Sequence, residues 1–296
     1  MASVHLDLRP LTPRIGAEVH GIDCTTELGD EVISAIRDAW LERLVLFFPG
    51  QSMNDEQQIA FAGRFGDVTE GHPIEPTLPD HPEVQPIDSV KDRTNFWHTD
   101  VTFMSSPPMA SMLRAVVVPE VGGDTMWADT RGAYETLAEP LQRLCDDLVA
   151  IHFDEHYAAV VAGGGGNEWD GARLERLSPV HHPVVRVHPE TGRPNLFVNP
   201  QFTAGLRGFT RAQGDGLLRL LYEHMTQPEF VVRYRWQPGT LAFWDNRTTM
   251  HFGIYDYDDA RRVMHRVILR GDRPIGPHGP TRATRSEGPG PSAEGP

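Results

Sequence analysis

Cysteine is scarce in this chain, and the long apolar runs of a membrane protein are missing. Only Cys24 and Cys145 occur among 296 residues, which is too few for a disulfide framework and gives no Cys-x-x-Cys motif. No apolar stretch reaches the length of a bilayer-spanning helix. The N-terminus has neither a basic start followed by an apolar run nor a small-residue cleavage site. We therefore expect a cytoplasmic protein with two free, buried thiols.

Positive charge is also in short supply. The 27 Lys and Arg residues are outnumbered by 41 Asp and Glu residues, which gives a formal net charge of −14. Nucleic acids and anionic membranes are bound by clustered Lys and Arg, so this balance argues against both as partners. A small anionic substrate is still compatible with it, provided that a few arginines lie close to the site.

A His-x-Asp tripeptide is the first motif that carries chemistry. His98 and Asp100 lie within Trp97–Phe103, where aromatic and β-branched residues predict a strand. Side chains two apart in a strand point to the same face, so this pair could chelate one ion. The tripeptide alone is common by chance, but His251 follows another predicted strand and could supply a third ligand. Two histidines and one carboxylate form the facial triad of ferrous oxygenases.

Two arginines follow the last of these candidate ligands. In the strand pattern that starts at Arg262, the side chains of Arg262, Met264 and Arg266 share one face. Those of Val263, His265 and Val267 share the other. The rise of a strand puts the two arginines roughly 13 Å apart. One strand could therefore anchor two different anions.

The local patterns predict a β-rich chain with a few helices. Helical spacing and end signals predict helices over 30–40, 54–65 with Asn54 as N-cap, and 210–225. Apolar and β-branched runs predict strands over 41–48, 110–118, 124–127, 230–236 and 241–244. Loops are expected at the proline-rich 71–86, the turn 119–123 and the four glycines Gly163–Gly166. Short strands with tight turns indicate a roll or barrel.

The positions of the candidate ligands favour one domain. They come from the first and last thirds of the chain, so a division between them would split the site. We expect a single domain over residues 1–275 and a Gly- and Pro-rich tail over 276–296 that is disordered.

Several motifs, taken together in this order, resemble the taurine dioxygenase family of Fe(II)- and 2-oxoglutarate-dependent oxygenases, including its alkylsulfatase members. The matching segments cover nearly everything but the tail: 15–18, 97–103, 122–127, 182–189, 236–239, 244–247 and 261–266. The resemblance implies a β-rich α+β fold, in which two sheets roll into a double-stranded β-helix, or jelly roll, with helices outside. It also suggests a homo-oligomer.

The resemblance assigns roles residue by residue. It implies that His98, Asp100 and His251 bind Fe(II), and that Arg262 and Thr125 hold the distal carboxylate of 2-oxoglutarate. A guanidinium group binds a carboxylate through two parallel hydrogen bonds, and a hydroxyl adds a third. The implied cofactor is therefore Fe(II), and the implied cosubstrates are 2-oxoglutarate and O2.

The same resemblance implies a substrate pocket. Arg266 and His72 would meet the anionic end of the primary substrate, a sulfonate or sulfate, and Phe202 would form an aromatic wall. Glu75 and Thr94 depart from the taurine pattern, because Glu75 stands where taurine dioxygenase has an aromatic hydroxyl and Thr94 where it has an amide that contacts the substrate. The resemblance therefore also implies that Thr94 binds the substrate.

Two local sequence segments favour the alkylsulfatase branch of the family. Segments 182–192 and 71–73 are closer to that branch, which tolerates longer apolar chains. Glu75, if it faces the pocket, could instead select a substrate with an amino group.

These motifs predict a dioxygenase that hydroxylates an alkyl sulfate or sulfonate, which then releases an aldehyde and sulfate or sulfite. The alternative within the class is a tailoring hydroxylase or desaturase of a carboxylate or amino acid, since Arg266 would bind a carboxylate as readily. A zinc hydrolase could use the same three ligands, but it has no need of Arg262. A metal-free binding module would not need the intact ligands.

Overall fold

Six helices flank the sheets of the computed structural model, which describes residues 5–72, 75–90, 95–163 and 178–280. The α-helices are α1 (Asp30–Arg43), α2 (Asp55–Gly63), α3 (Thr130–Thr136), α4 (Glu139–Asp146), α5 (Glu155–Ala162) and α6 (Arg211–Met225), and a short 3-10 turn spans Pro228–Phe230. In α2 the side chain of Asn54 accepts from Gln57 N, and Gln57 accepts from Asn54 N in return. This capping box confirms the predicted start of α2.

Short strands make up the rest of the regular structure. They are β1 (Asp7–Pro10), β2 (Ala17–His20), β3 (Val45–Phe48), β4 (Val84–Asp88), β5 (Ala110–Val117), β6 (Thr125–Asp129), β7 (Val149–His152), β8 (Val180–Pro183), β9 (Val185–Val187), β10 (Pro194–Leu196), β11 (Thr203–Leu206), β12 (Val231–Tyr234), β13 (Leu241–Asp245), β14 (Thr249–Gly253), β15 (Val263–Leu269), β16 (Ile275–Gly276) and β17 (Gly279–Pro280).

The large sheet has seven strands in the order β1-β2-β3-β13-β5-β15-β4. Alternate residues of each strand face opposite sides of it. Along β3, Leu46 and Phe48 pack against α1 and α2, whereas Val45 and Phe47 face the other way. Both faces are therefore buried, which is why β3 is apolar throughout.

A second sheet, in the order β12-β6-β14, covers that other face. Large aromatic side chains fill the space between the two sheets: Phe47 stacks on Tyr234 at 3.8 Å between ring centroids, and Trp127 contacts both Phe47 and Trp244 edge to face. Each such buried side chain contributes about 1.5–3 kcal/mol. The two sheets form a jelly roll, which confirms the predicted fold class.

The smaller sheets lie beside this core. Strands β11, β7 and β8 form one, and β10 pairs with β9. They pack with α3 and α6 in a separate apolar cluster that includes Leu196, Leu218 and Leu221. No helix in the described parts of the chain combines the length and apolar character needed to cross a membrane.

The structure corrects two predicted elements. Trp97–Phe103 is not a strand: only His98 makes a β-bridge, and the chain turns from Asp100 onward. The strand predicted over 41–48 begins at Val45, because α1 continues to Arg43 and Leu44 turns with φ 65°. Helical spacing and a buried strand overlap in this segment, so pattern alone misplaces the boundary.

Two predicted irregular regions contain short strands. Within 71–86, β4 begins at Val84 and includes Pro86, which a sheet tolerates because β4 is an edge strand. At the start of the predicted tail, β16 and β17 pair across residues 275–280. Residues 281–296 and 164–166 of the glycine run lie outside the described residues.

Candidate active site

Two histidines from distant parts of the chain are joined through their backbones. His98 N donates to His251 O at 3.0 Å, and His251 N donates to His98 O at 2.7 Å. His251 lies on β14, an edge strand of the second sheet. The reciprocal bonds bring the two rings to 4.0 Å between centroids.

Asp100 reaches the same point by a turn rather than by the predicted strand alternation. Val101 after it has φ 54°, a left-handed conformation that β-branched residues rarely adopt and that costs about 1–3 kcal/mol. Ser111 Oγ donates to Asp100 Oδ2 at 2.7 Å, and Arg266 donates to Oδ1 at 2.5 Å. Ser111 therefore holds one oxygen of the carboxylate, and Arg266 balances the charge on the other.

The three side chains converge on one point. Asp100 Oδ1 lies 3.8 Å from His98 Nε2 and 3.8 Å from His251 Nε2. The ligand atoms all lie within 4.8 Å of one another, and all three residues are buried. Two imidazoles and one carboxylate suit a divalent iron ion. The predicted ligand set is thus assembled in a geometry that fits such an ion.

The protonation states also suit a metal. Burial lowers the pKa of His98, and burial together with His98 lowers the pKa of His251 well below its ordinary value. Burial alone would raise the pKa of Asp100, but the charge of Arg266 holds that pKa well below its usual range. Neutral imidazoles and an ionised carboxylate are the forms that bind metal.

On one side of the triad, Arg262 and Thr125 line a pocket. Arg262 donates to Gly123 O at 3.1 Å and to Thr125 Oγ1 at 3.3 Å. Trp236 Nε1 also donates to this hydroxyl, at 2.9 Å. No carboxylate among the described residues forms an ion pair with Arg262, and burial lowers its pKa. A partly buried cation in this state is stabilised by an anionic ligand.

The turn before β6 allows this arrangement. Gly122 and Gly123 both have positive φ, 81° and 72°. A Cβ on Gly122 would come within 2.6 Å of Asp256 O, and one on Gly123 within 3.2 Å of Arg262 Cδ. Glycine is therefore required for the close approach of Arg262 to the pocket.

On the other side of the triad, Arg266 and Phe202 line a second pocket. Arg266 differs from Arg262 in its partners. It donates to Asp100 and, through Nε at 3.1 Å and the terminal nitrogen at 2.6 Å, to Gln85 Oε1. As the sequence predicted, both arginines face the same space between the sheets, and His265 points to Asp55 on the opposite face.

His72 and Glu75 also line this second pocket. His72 Nδ1 accepts from Glu75 N at 3.2 Å, so the proton of the neutral ring is on Nε2. Burial, with the charge of Arg266, lowers the pKa of His72 to about 3. The ring is therefore a neutral N–H donor at neutral pH. Thr94, the remaining predicted substrate residue, lies outside the described residues.

A buried ionic cluster supports the β13–β14 hairpin that carries His251. Asp245 accepts two hydrogen bonds from the Arg247 guanidinium group, at 2.8 and 2.7 Å, and lies 2.9 Å from His188 Nε2. Arg247 also binds Glu190 at 2.6 Å. Removing one member of such a buried pair costs about 3–5 kcal/mol, so this cluster stabilises the position of His251.

Sequence patterns missed several residues of the site. Gln85 on β4 contacts Arg266, and Ser111 on β5 contacts Asp100. Tyr255 and Tyr257 line the Arg262 pocket. Their side chains reach the site through strand register, which has no local motif. Tyr255 and Tyr257 do follow His251 closely, and that proximity was the only available signal.

A jelly roll that holds two histidines and a carboxylate between its sheets defines the class of mononuclear iron oxygenases. The family model for the taurine catabolism dioxygenase TauD, TfdA family matches residues 7–268. The chain belongs to this family, which confirms the family predicted from its motifs.

Relatives match along nearly the full length of the chain. The alkylsulfatase of Acinetobacter baylyi is 42% identical over 284 residues, with 93% of this chain and 88% of that protein covered. The alpha-ketoglutarate-dependent sulfate ester dioxygenase of Pseudomonas putida is 38% identical over 297 residues, with 97% and 96% covered. A solved taurine dioxygenase structure from Burkholderia xenovorans has a TM-score of 0.81 at 39% identity, with 93% and 94% covered.

The family, the fold and the assembled ligands agree on the enzyme class. The chain is an Fe(II)- and 2-oxoglutarate-dependent dioxygenase, as its sequence predicted; alpha-ketoglutarate is another name for 2-oxoglutarate.

Proposed function

We propose that the chain oxidises a small sulfate ester or sulfonate at the carbon that bears the anionic group. The observation that carries this proposal is the pocket on the Asp100 side of the triad, where Arg266 and His72 offer N–H donors beside the apolar ring of Phe202. Two relatives named for sulfate ester chemistry support it.

The triad would hold the metal through His98 Nε2, His251 Nε2 and Asp100 Oδ1. When bound, Fe(II) with 2-oxoglutarate and O2 supplies the oxidising chemistry. Arg262 and Thr125 bind the distal carboxylate of 2-oxoglutarate in the pocket on the other side, where the guanidinium group lacks a carboxylate partner among the described residues. This arrangement keeps the two anions of the reaction apart.

The residues of the second pocket orient the substrate. Arg266 contacts the anionic group while keeping its bond to Asp100, and His72 donates from Nε2. Phe202 packs edge to face on Phe103 at 5.0 Å and excludes water from one wall. The carbon next to the anionic group is then the carbon nearest the triad.

The products follow from the site of oxidation. Hydroxylation of the carbon that bears a sulfate ester gives an unstable product that separates into an aldehyde and sulfate, while 2-oxoglutarate becomes succinate and CO2. A sulfonate would release sulfite in the same way.

A succinate-release assay over matched substrates tests the proposal. The panel contains alkyl sulfates, alkyl sulfonates, carboxylates and amino acids of equal chain length, with and without a terminal amine. We expect succinate, and free sulfate or sulfite, with the first two classes. Turnover of carboxylates or amino acids alone would favour the alternative tailoring hydroxylase or desaturase, and a requirement for the amine would assign the selection to Glu75.

A metal titration tests the class independently of the substrate. Anaerobic addition of Fe(II) and 2-oxoglutarate should produce a visible charge-transfer band. Hydrolysis of the substrate supported by zinc, with no such band, would contradict the proposal.

We also propose that residues 1–275 act as one dioxygenase domain in the cytoplasm, as a homo-oligomer. The meeting of His98 and Asp100 with His251 at one point supports the single domain. The acidic net charge of −14 supports a small-molecule substrate over nucleic acid or membrane.

A further inference from the structure

The motif Trp244–Arg247 contains two side chains whose polar atoms have no role in the chemistry proposed above. Asp245 and Arg247 belong to the ionic cluster of the hairpin. Trp244 and Asn246 do not, although both are only 1% exposed. Their polar atoms belong to a series of hydrogen bonds that ends on Asp100, one of the three candidate metal ligands.

Four buried side chains form a continuous series of hydrogen bonds. Trp244 Nε1 lies 2.9 Å from Asn246 Oδ1. Asn246 Nδ2 lies 2.8 Å from Ser111 Oγ. Ser111 Oγ lies 2.7 Å from Asp100 Oδ2. The series crosses from β13 to β5 and ends on the carboxylate of the triad.

The direction of every bond follows from the chemistry of its first member. An indole nitrogen can only donate, so the atom of Asn246 that faces Trp244 is its oxygen. The amide nitrogen of Asn246 therefore faces Ser111 and donates to Oγ. Because a hydroxyl has one proton, and Asn246 already supplies a donor, Ser111 directs its own proton to Asp100 Oδ2.

We propose that Trp244, Asn246 and Ser111 are positioning residues that present Asp100 to the metal through one oxygen. Oδ2 is held by Ser111, and Oδ1 is the oxygen that lies 3.8 Å from both histidine Nε2 atoms. The inference rests on the proposed function only in taking the triad as the metal site. A carboxylate fixed in this way cannot turn its second oxygen towards the ion, which leaves the open side of the ion for its cosubstrates.

Metal binding by the protein alone is the direct test. Isothermal titration with Mn(II), without 2-oxoglutarate or substrate, should show about tenfold to a hundredfold weaker binding for Ser111→Ala, as is typical when the partner of a ligand is removed. Ser111→Thr keeps the hydroxyl and should restore most of the affinity. Asn246→Leu leaves the hydroxyl undirected and should weaken binding by a smaller factor.

Thr248→Val is the matched control. Thr248 lies on the same hairpin, and its buried hydroxyl has no hydrogen-bond partner in the part of the chain that the structure describes. This variant also deletes a buried hydroxyl, so it should leave Mn(II) affinity unchanged. If it weakens binding as much as Ser111→Ala does, the effect is general to the hairpin and the proposal is overturned.

Two further measurements separate positioning from packing. The double variant Ser111→Ala/Asn246→Leu should bind Mn(II) no more weakly than Ser111→Ala, because Asn246 acts only through the hydroxyl. The visible spectrum of bound Co(II) should change in Ser111→Ala and Asn246→Leu but not in Thr248→Val, because it reports how the ligands surround the ion. Additive losses or identical spectra would overturn the proposal, and the Asn246→Leu spectrum decides if Ser111→Ala does not fold.

The wild-type titration keeps the two proposals apart. A wild-type protein that binds neither Mn(II) nor Co(II) would contradict the proposed function. A wild-type protein that binds both, alongside a Ser111→Ala variant within twofold of it, would contradict the positioning chain alone.

Discussion

Arg262 and Arg266 lie on the same face at β15, yet their surroundings are opposite. Arg262 touches a backbone carbonyl and the hydroxyl of Thr125, and no carboxylate of the described chain pairs with it. Arg266 is bound to the carboxylate of Asp100 and to Gln85. One cation is kept available for an anion, and the other is shared with a metal ligand.

This difference separates the two anions of the reaction by chemistry as well as by position. An unpaired guanidinium group in a buried pocket gains the full benefit of a carboxylate ligand. A guanidinium group that already neutralises Asp100 gains less from a second anion. We therefore expect 2-oxoglutarate to bind more tightly than the primary substrate, and the variants below test that order.

Asp100→Asn should have the largest effect. The amide keeps the shape of the side chain but removes the charged ligand, so Mn(II) affinity should fall by more than about a hundredfold, since even the partners of ligands contribute ten- to hundredfold. Titration calorimetry measures the affinity. Asp154→Asn, a neutralised carboxyl group in the same pocket, is the control and should bind metal normally. Equal losses in both variants would make the effect one of net charge.

Arg262→Ala should come next. Loss of a buried partner of a carboxylate costs about 2–5 kcal/mol, so the 2-oxoglutarate concentration for half-maximal succinate release should rise by about thirtyfold or more. The requirement for primary substrate should stay nearly constant. Arg262→Lys keeps the charge without the two-pronged geometry and should recover part of the loss. A larger rise for the primary substrate than for 2-oxoglutarate would reverse the proposed roles.

Arg266→Ala should have a smaller and different effect. The requirement for primary substrate should rise by about tenfold to a hundredfold, as expected for loss of a hydrogen bond to a charged group, with 2-oxoglutarate affinity unchanged. Mn(II) affinity should not fall, because Asp100 Oδ1 loses a competing cation. If the variant raises both requirements equally, the two arginines do not divide the anions between them.

The remaining prediction concerns stability in acid rather than binding. His182 supports the turn on the Arg266 side, with Nε2 2.9 Å from Thr102 O and 3.0 Å from Met104 O. Burial lowers the pKa of His182 to about 4. The unfolded chain, with a histidine pKa of about 6.5, therefore takes up this proton first. Stability is complete above pH 6.5 and falls by up to about 3 kcal/mol as the pH drops to 4.

Thermal unfolding from pH 7 to pH 4 measures this loss. His182→Gln keeps an N–H donor but cannot titrate, so its unfolding temperature should fall less over that range than that of the wild type. An identical slope for both proteins would show that His182 takes no part in the acid response.

Local signals predicted helices α1, α2 and α6 and the chemistry of the site, but not helices α3, α4 and α5 or the backbone around the ligands. Helix α2 starts after Asn54 and helix α6 starts after Thr210, and at each start the two capping residues are only three positions apart. Both starts were predicted correctly. The turn after Asp100 could not be predicted, since valine at positive φ contradicts the usual preference of β-branched residues. The sequence predicted correctly that His98 and Asp100 lie close enough to bind one ion, but it predicted a strand where the chain turns.

The long-range contacts of the site had no signal in a single sequence. Arg262 and Arg266 were predicted to share a face because strand alternation is local. The contact of Arg266 with Gln85 depends on the pairing of β15 with β4, and that of Ser111 with Asp100 on a turn that follows no pattern. The jelly-roll fold itself came from the resemblance to the family and not from periodicity, and the order of the strands was not predicted.

The paired backbone bonds between His98 and His251 have a consequence for the life of the enzyme. Two backbone hydrogen bonds hold His98 and His251 together in the structure. We therefore expect the two histidines to keep this separation with or without a bound ion. Uptake of Fe(II) would then require no refolding of this part of the chain.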